Sequence, residues 1–235
     1  MRGRGRCSAR IGYNLNCHTL ERCCPHKMPP VRSVLEDNDM PVDSDSQMRA
    51  IDNLLEQARQ HYARADLYSY FDGDEDRVAA SHVALDTVED TRLALSNYES
   101  NGIGFDDGER YLRLYGFLQA TILQQDAIRK LHELFVGSFP KPADTSAWMR
   151  LRELRNLTVG HPIAKGKRGE TPKRAFIARV SLKTDGFNYQ VSCQSAEDLF
   201  VRADLLATYV EYKQEATEFL KKVLNPLSGI PDELH

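Results

Sequence analysis

The sequence predicts a mainly α fold: a five-helix bundle with one inserted two-stranded β-hairpin. Three features point to it. Apolar residues recur at spacings of three and four through most of the chain beyond residue 45, the period of helices with a buried stripe. Gly, Pro and capping residues punctuate those stretches. Between residues 174 and 193 the period falls to two on either side of Asp185-Gly186, the pattern of a hairpin.

The elements follow in order. Met48, Ile51, Leu54, Leu55 and Ala58 form the stripe of a first helix from about Asp45 to Asp66, with Ser44 or Ser46 as its cap. The aromatic run from Leu67 to Phe71 ends in a turn at Asp72-Gly73. A second helix is expected from about Asp74 to Ser100, with Val78, Ala79, His82, Val83, Leu85, Val88, Leu93 and Leu95 on its apolar side. Asn101-Gly102-Ile103-Gly104 breaks it. A third helix, from about Asp107 to Phe135, has so wide an apolar set that it should be the central one. Asp144, Thr145 or Ser146 can cap a fourth, with Trp148, Leu151, Leu154 and Leu157 inward and Gly160 and Pro162 as its stop. In the hairpin, Phe176, Ala178, Val180 and Leu182 should share one face, and so should Phe187, Tyr189 and Val191. A lone hairpin is marginal in water, so it should pack on helices. Ser195-Ala196-Glu197-Asp198 reads as the start of the last helix, which Asn225-Pro226 ends.

The expected organisation is a tail and linker over residues 1–44, a helical domain over 45–225 and a short tail over 226–235. Cys7, Cys17, Cys23 and Cys24 crowd the basic start of the chain. Cys23 and Cys24 are adjacent and there is no C-x2-C pair, so this segment reads as a basic tail, or as sequence ahead of a start at Met28, Met40 or Met48, rather than a zinc site. No metal or cofactor is expected. The Cys-poor body fits a reducing, cytoplasmic setting, and no apolar run is long enough to span a membrane. The net charge of −3 hides an uneven distribution. Residues 29–149 carry 11 basic and 22 acidic side chains, whereas residues 150–174 carry eight basic and two acidic ones. An acidic body with one basic segment marks that segment as the place for an anionic partner.

The basic segment begins on the fourth helix and reads RLRELRNLTVGHP from Arg150 to Pro162. Arg155, the polar Asn156, five residues between Arg155 and His161, and a helix end together resemble the signature of the HEPN superfamily of helical bundles. The resemblance covers the body from about Asp45 to Leu224. It implies a metal-independent ribonuclease, a homodimer with two motifs facing each other, and a toxin–antitoxin or antiphage system with its partner protein. Arg77 and His82 also fit the loose spacing, but lack the polar follower and lie inside a helix.

The chemistry suits these residues. A 2′-OH attacking the adjacent phosphorus needs a group that moves protons and a cation for the developing charge. Histidine titrates near neutral pH, and arginine grips phosphate through paired donors. Arg155 and His161 are therefore the candidate catalytic pair, with Asn156 orienting the phosphate or the imidazole. Arg152, Lys165, Lys167, Arg168, Lys173 and Arg174 are candidates for holding flanking RNA phosphates. On a continuous helix, positions 155 and 161 lie about 240° apart, so the helix has to end between them. The alternative reading is a non-catalytic module that binds RNA, a nucleotide or a protein through the same segment. Gly-rich phosphate loop, nucleophile elbow and HExxH are all missing, which leaves kinase, hydrolase and zinc-peptidase readings without support.

Overall fold

The structure, a computed structural model, describes residues 44–166, 171–194 and 196–232. The four clustered cysteines, most of the 1–44 segment, Lys167 and Arg168 lie outside the described residues. The chain is mainly helical with a small antiparallel sheet. Its helices are α1 (Ser44–Tyr62), the single turn α2 (Leu67–Tyr70), α3 (Glu75–Asn101), α4 (Asp107–Phe135), α5 (Ala147–Arg155) and α6 (Leu205–Leu227). Its strands are β1 (Lys173–Ile177), β2 (Gly186–Cys193) and β3 (Ala196–Asp204), in the order β1-β2-β3.

Helix starts repeat one device. The side chains of Asp66, Asp74, Asp106, Ser146 and Asp204 each accept a hydrogen bond from the backbone N–H three residues on. That satisfies a donor the helix itself leaves unpaired. α1 already runs through Ser44 and Ser46, so neither precedes it as a cap. The central position of α4 follows from its composition. Leu114, Phe117, Leu118, Ile128, Leu131 and Leu134 are buried all around it, and it packs against α3, α5 and α6. On α3 the buried stripe is Ala84, Leu85, Val88, Leu95 and Tyr98, while Val83 and Leu93 face outward. His82 is exposed and meets Tyr62 edge-on, and the Arg77 guanidinium lies over the Phe71 ring. That second Arg–His spacing is thus a packing feature.

The hairpin and the last helix differ from the sequence reading. Residues 196–204 form a third strand, and α6 begins only at Leu205. Its cap is Asp204, not Ser195. The reason lies in the alternation Leu199, Val201, Ala203 with Phe200 between: apolar residues, among them the strand formers Val201 and Phe200, that pair along β2. The tight turn is centred one residue early, with Lys183 and Gly186 exchanging backbone hydrogen bonds around Thr184-Asp185. In β1 the faces are reversed. Ala175 is buried, Phe176 is 58% exposed, and Val180 falls in a 3-10 turn (Arg179–Ser181) where it is exposed. The expected tail from residue 226 also has structure. α6 continues to Leu227, Ile230 is buried, and Asp66 donates its backbone N–H to the carbonyl of Pro231.

Candidate functional site

The motif sits where α5 gives way to a wider turn. After Arg155 the backbone forms a π turn (Asn156–Gly160), in which the N–H of His161 donates to the carbonyl of Asn156 at 2.8 Å. Within this turn the Thr158 hydroxyl donates back to the Leu154 carbonyl at 2.8 Å, a bond that bends helices. Leu157 and Thr158 are buried and anchor the turn to the core. His161 then leaves helical geometry at φ −137°, ψ 51°. The α-helix therefore ends at Arg155, and the chain leaves helical geometry at His161. Such π turns occur often at functional sites.

Arg155 is half-buried and held in place. Its Nε and Nη2 donate to Gln119 Oε1 of α4 at 3.0 and 2.7 Å, and its Nη1 donates to Asn156 Oδ1 at 3.1 Å. Both acceptors are neutral amides, so the guanidinium is oriented without being neutralised. It lies along the π turn: a methyl group at Gly160 would sit 2.5 Å from Arg155 Nη1. The next residue, His161, is exposed. Asn156 therefore positions the guanidinium rather than the imidazole. Gln119 was not legible beforehand, because nothing in a long helix flags one of its glutamines as a partner 36 residues away.

The other basic side chains are placed differently. Arg152 donates to Gln125 Oε1 at 3.0 Å and to Asp126 Oδ1 at 2.6 Å. Arg150 pairs with Glu211, and Lys165 pairs with Glu153. The chain after the π turn runs along β1, because Lys165 and Lys173 exchange backbone hydrogen bonds at 2.8 Å and Ala175 donates to the Pro162 carbonyl at 2.8 Å. This brings Lys165 and Lys173 together at the sheet edge next to His161. Arg174 is exposed on β1.

A cleft of about 20 Å³ lies elsewhere in the bundle, among Asp52, Arg92, Glu99, Tyr209 and Lys213, and has room for about one water molecule. Among the described residues no cluster of three or more His, Cys, Asp or Glu could hold a metal ion. No described helix is long and apolar enough to cross a membrane. Comparison with protein-family models, curated proteins and solved structures returned no match.

Proposed function

We propose that this chain is a metal-independent endoribonuclease of toxin or antiphage-defence type, built on a HEPN-like five-helix bundle and acting in the cytoplasm as a homodimer. An antitoxin or another defence-system protein is the partner this reading implies. One observation carries it. Arg155 is fixed by the neutral amides of Gln119 and Asn156, with its guanidinium alongside Gly160, the residue that precedes the exposed His161. A guanidinium so held keeps its charge for an anion and is spared the entropy of being ordered on binding.

In this mechanism Arg155 binds the scissile phosphate. The substrate's 2′-oxygen forms a bond to phosphorus, and the bond from phosphorus to the 5′-oxygen breaks. A 2′,3′-cyclic phosphate and a 5′-hydroxyl result. His161 takes the proton from the 2′-OH or delivers one to the leaving oxygen, and water handles the other. RNA cleavage is expected from the wild-type chain with and without chelator, and to fall by about 100-fold or more in His161→Ala. Full activity in that variant would overturn the assignment, and loss of activity with chelator would overturn the metal-free mechanism.

Arg150, Arg152 and Lys165 pair with carboxylates, which leaves less charge for phosphates in either reading. The second reading is a non-catalytic module that binds RNA, a nucleotide or a protein partner through the same segment. It expects substitutions at Lys165, Lys167 and Arg168 to weaken binding and His161→Ala to change little.

A further inference from the structure

The sheet has one edge closed and one open. The segment from Pro162 to Lys165 bonds to the outer side of β1. The outer side of β3 has no strand or loop paired to it among the described residues. β3 spans Ala196–Asp204 and contains no Lys or Pro, two of the residues that blunt an open edge, while its charged residues are Glu197, Asp198, Arg202 and Asp204. Between those charges it exposes apolar surface, with Leu199 at 55% and Phe200 at 80%. An open edge of this length and composition is a template for another strand.

We propose that β3 is the seam of a homodimer, in which two copies pair antiparallel about a two-fold axis at Phe200. The pattern of charges selects both the partner and the register. With the axis at Phe200, Asp198 of one copy lies opposite Arg202 of the other, twice over. Leu199 lies opposite Val201, and the two Phe200 rings meet on the outer face. Moving the axis to Val201 would set Asp198 against Asp204, and moving it to Leu199 would leave Arg202 opposite Ala196. Parallel in-register pairing would set Asp198 against Asp198. Of these registers the one at Phe200 joins opposite charges, and cross-strand pairs of opposite charge or of aromatic rings favour pairing. Both charged side chains are exposed and already lean on neighbours that a second strand leaves in place: Arg202 on Asp185 at 2.7 Å, and Asp198 on Gln190. Along the outer face, Phe176, Gln190 and Phe200 share one rung, so pairing extends that rung into the second copy.

This pairing goes beyond the ribonuclease reading and does not depend on it. The joined sheet runs β1-β2-β3-β3-β2-β1, which sets each His161 segment, beside β1, toward an outer end. This seam therefore does not bring the two motifs face to face, and it is a different surface from the facing-motif interface that the HEPN resemblance implies.

The experiment is sedimentation equilibrium of the full-length chain, over about 1 to about 100 μM, on the wild type, Asp198→Arg and Arg202→Asp. The wild type should dimerise. Each single variant places like charges at both cross-strand positions, so its dissociation constant should rise by about tenfold or more. An equimolar mixture of the two variants regains both opposite-charge pairs and should form a heterodimer as tightly as the wild type. A wild type that stays monomeric would overturn the proposal and leave the edge for a different partner. Single variants that dimerise like the wild type would place the interface elsewhere. A mixture that stays monomeric would overturn the register. The substituted positions are surface ones, and unchanged thermal unfolding of the variants confirms that each is folded.

Discussion

Gly160 matters at the level of a single atom. Its missing side chain leaves room for the Arg155 guanidinium, whose Nη1 would be 2.5 Å from a methyl group there and whose Cζ would be 3.2 Å away. The clash is with the far end of a flexible side chain, so Gly160→Ala should be cheap in stability, within about 1 kcal/mol by denaturant unfolding. Its effect on the site should be larger. The guanidinium has to swing away from the π turn and from Asn156, and a misplaced catalytic group costs rate steeply. If Arg155 and His161 act together, RNA cleavage by Gly160→Ala falls by about tenfold or more at unchanged fold. Cleavage at the wild-type rate would mean that the placement of Arg155 over Gly160 has no part in the reaction.

At the scale of elements, glycine has opposite roles in the sheet and in the central helix. A Cβ at Gly186 would overlap the carbonyl oxygen of Ala203 on β3, because the two strands close tightly as the chain leaves the turn. Gly186→Ala should cost about 1–3 kcal/mol, since backbone rather than a side-chain tip must move. Gly116 lies on the exposed side of α4 with nothing within 4 Å of an added Cβ. Gly116→Ala should therefore stabilise by about 0.5–1 kcal/mol, as expected of a helix interior. Urea titration of both variants checks the two signs. The elements also show what the sequence makes legible. α3 and α4 match their expected ranges within one residue, because aspartate caps and the break from Asn101 to Gly104 are local signals. β3 was not legible as a strand. Ser195-Ala196-Glu197-Asp198 imitates a helix start, and only pairing with β2, which is not a local property, decides between the two. The motif residues Arg155, Asn156 and His161 were legible from type and spacing. The π turn that arranges them and the long-range partners Gln119, Asp126 and Glu153 were not, because each depends on how separate elements pack.

For the whole molecule, the aromatic cluster that joins α4, α5 and α6 holds its own titratable group. His132, near the end of α4, is 2% exposed and meets Phe139 and Phe219 edge-on at 5.4 and 6.1 Å. Phe139 and Phe219 in turn contact Trp148 at the start of α5. Burial among these rings pushes the His132 pKa down, and the positive charge of Lys222 pushes it in the same direction, against smaller opposite pulls from backbone groups at Ser138 and His132 and from Glu133. The unfolded chain thus takes up a proton that the folded chain resists. Stability from this residue is complete above the ordinary histidine value and is lost as pH falls through the lowered one. Thermal unfolding at pH of about 7.5 and about 5.5 reads the effect. The melting temperature of the wild type should fall between the two by more than that of His132→Phe, which keeps an edge-on ring and has no proton to gain. Equal falls in both proteins would place the acid sensitivity outside this cluster. A larger fall in the wild type would show that charging one buried ring loosens the packing of three helices together.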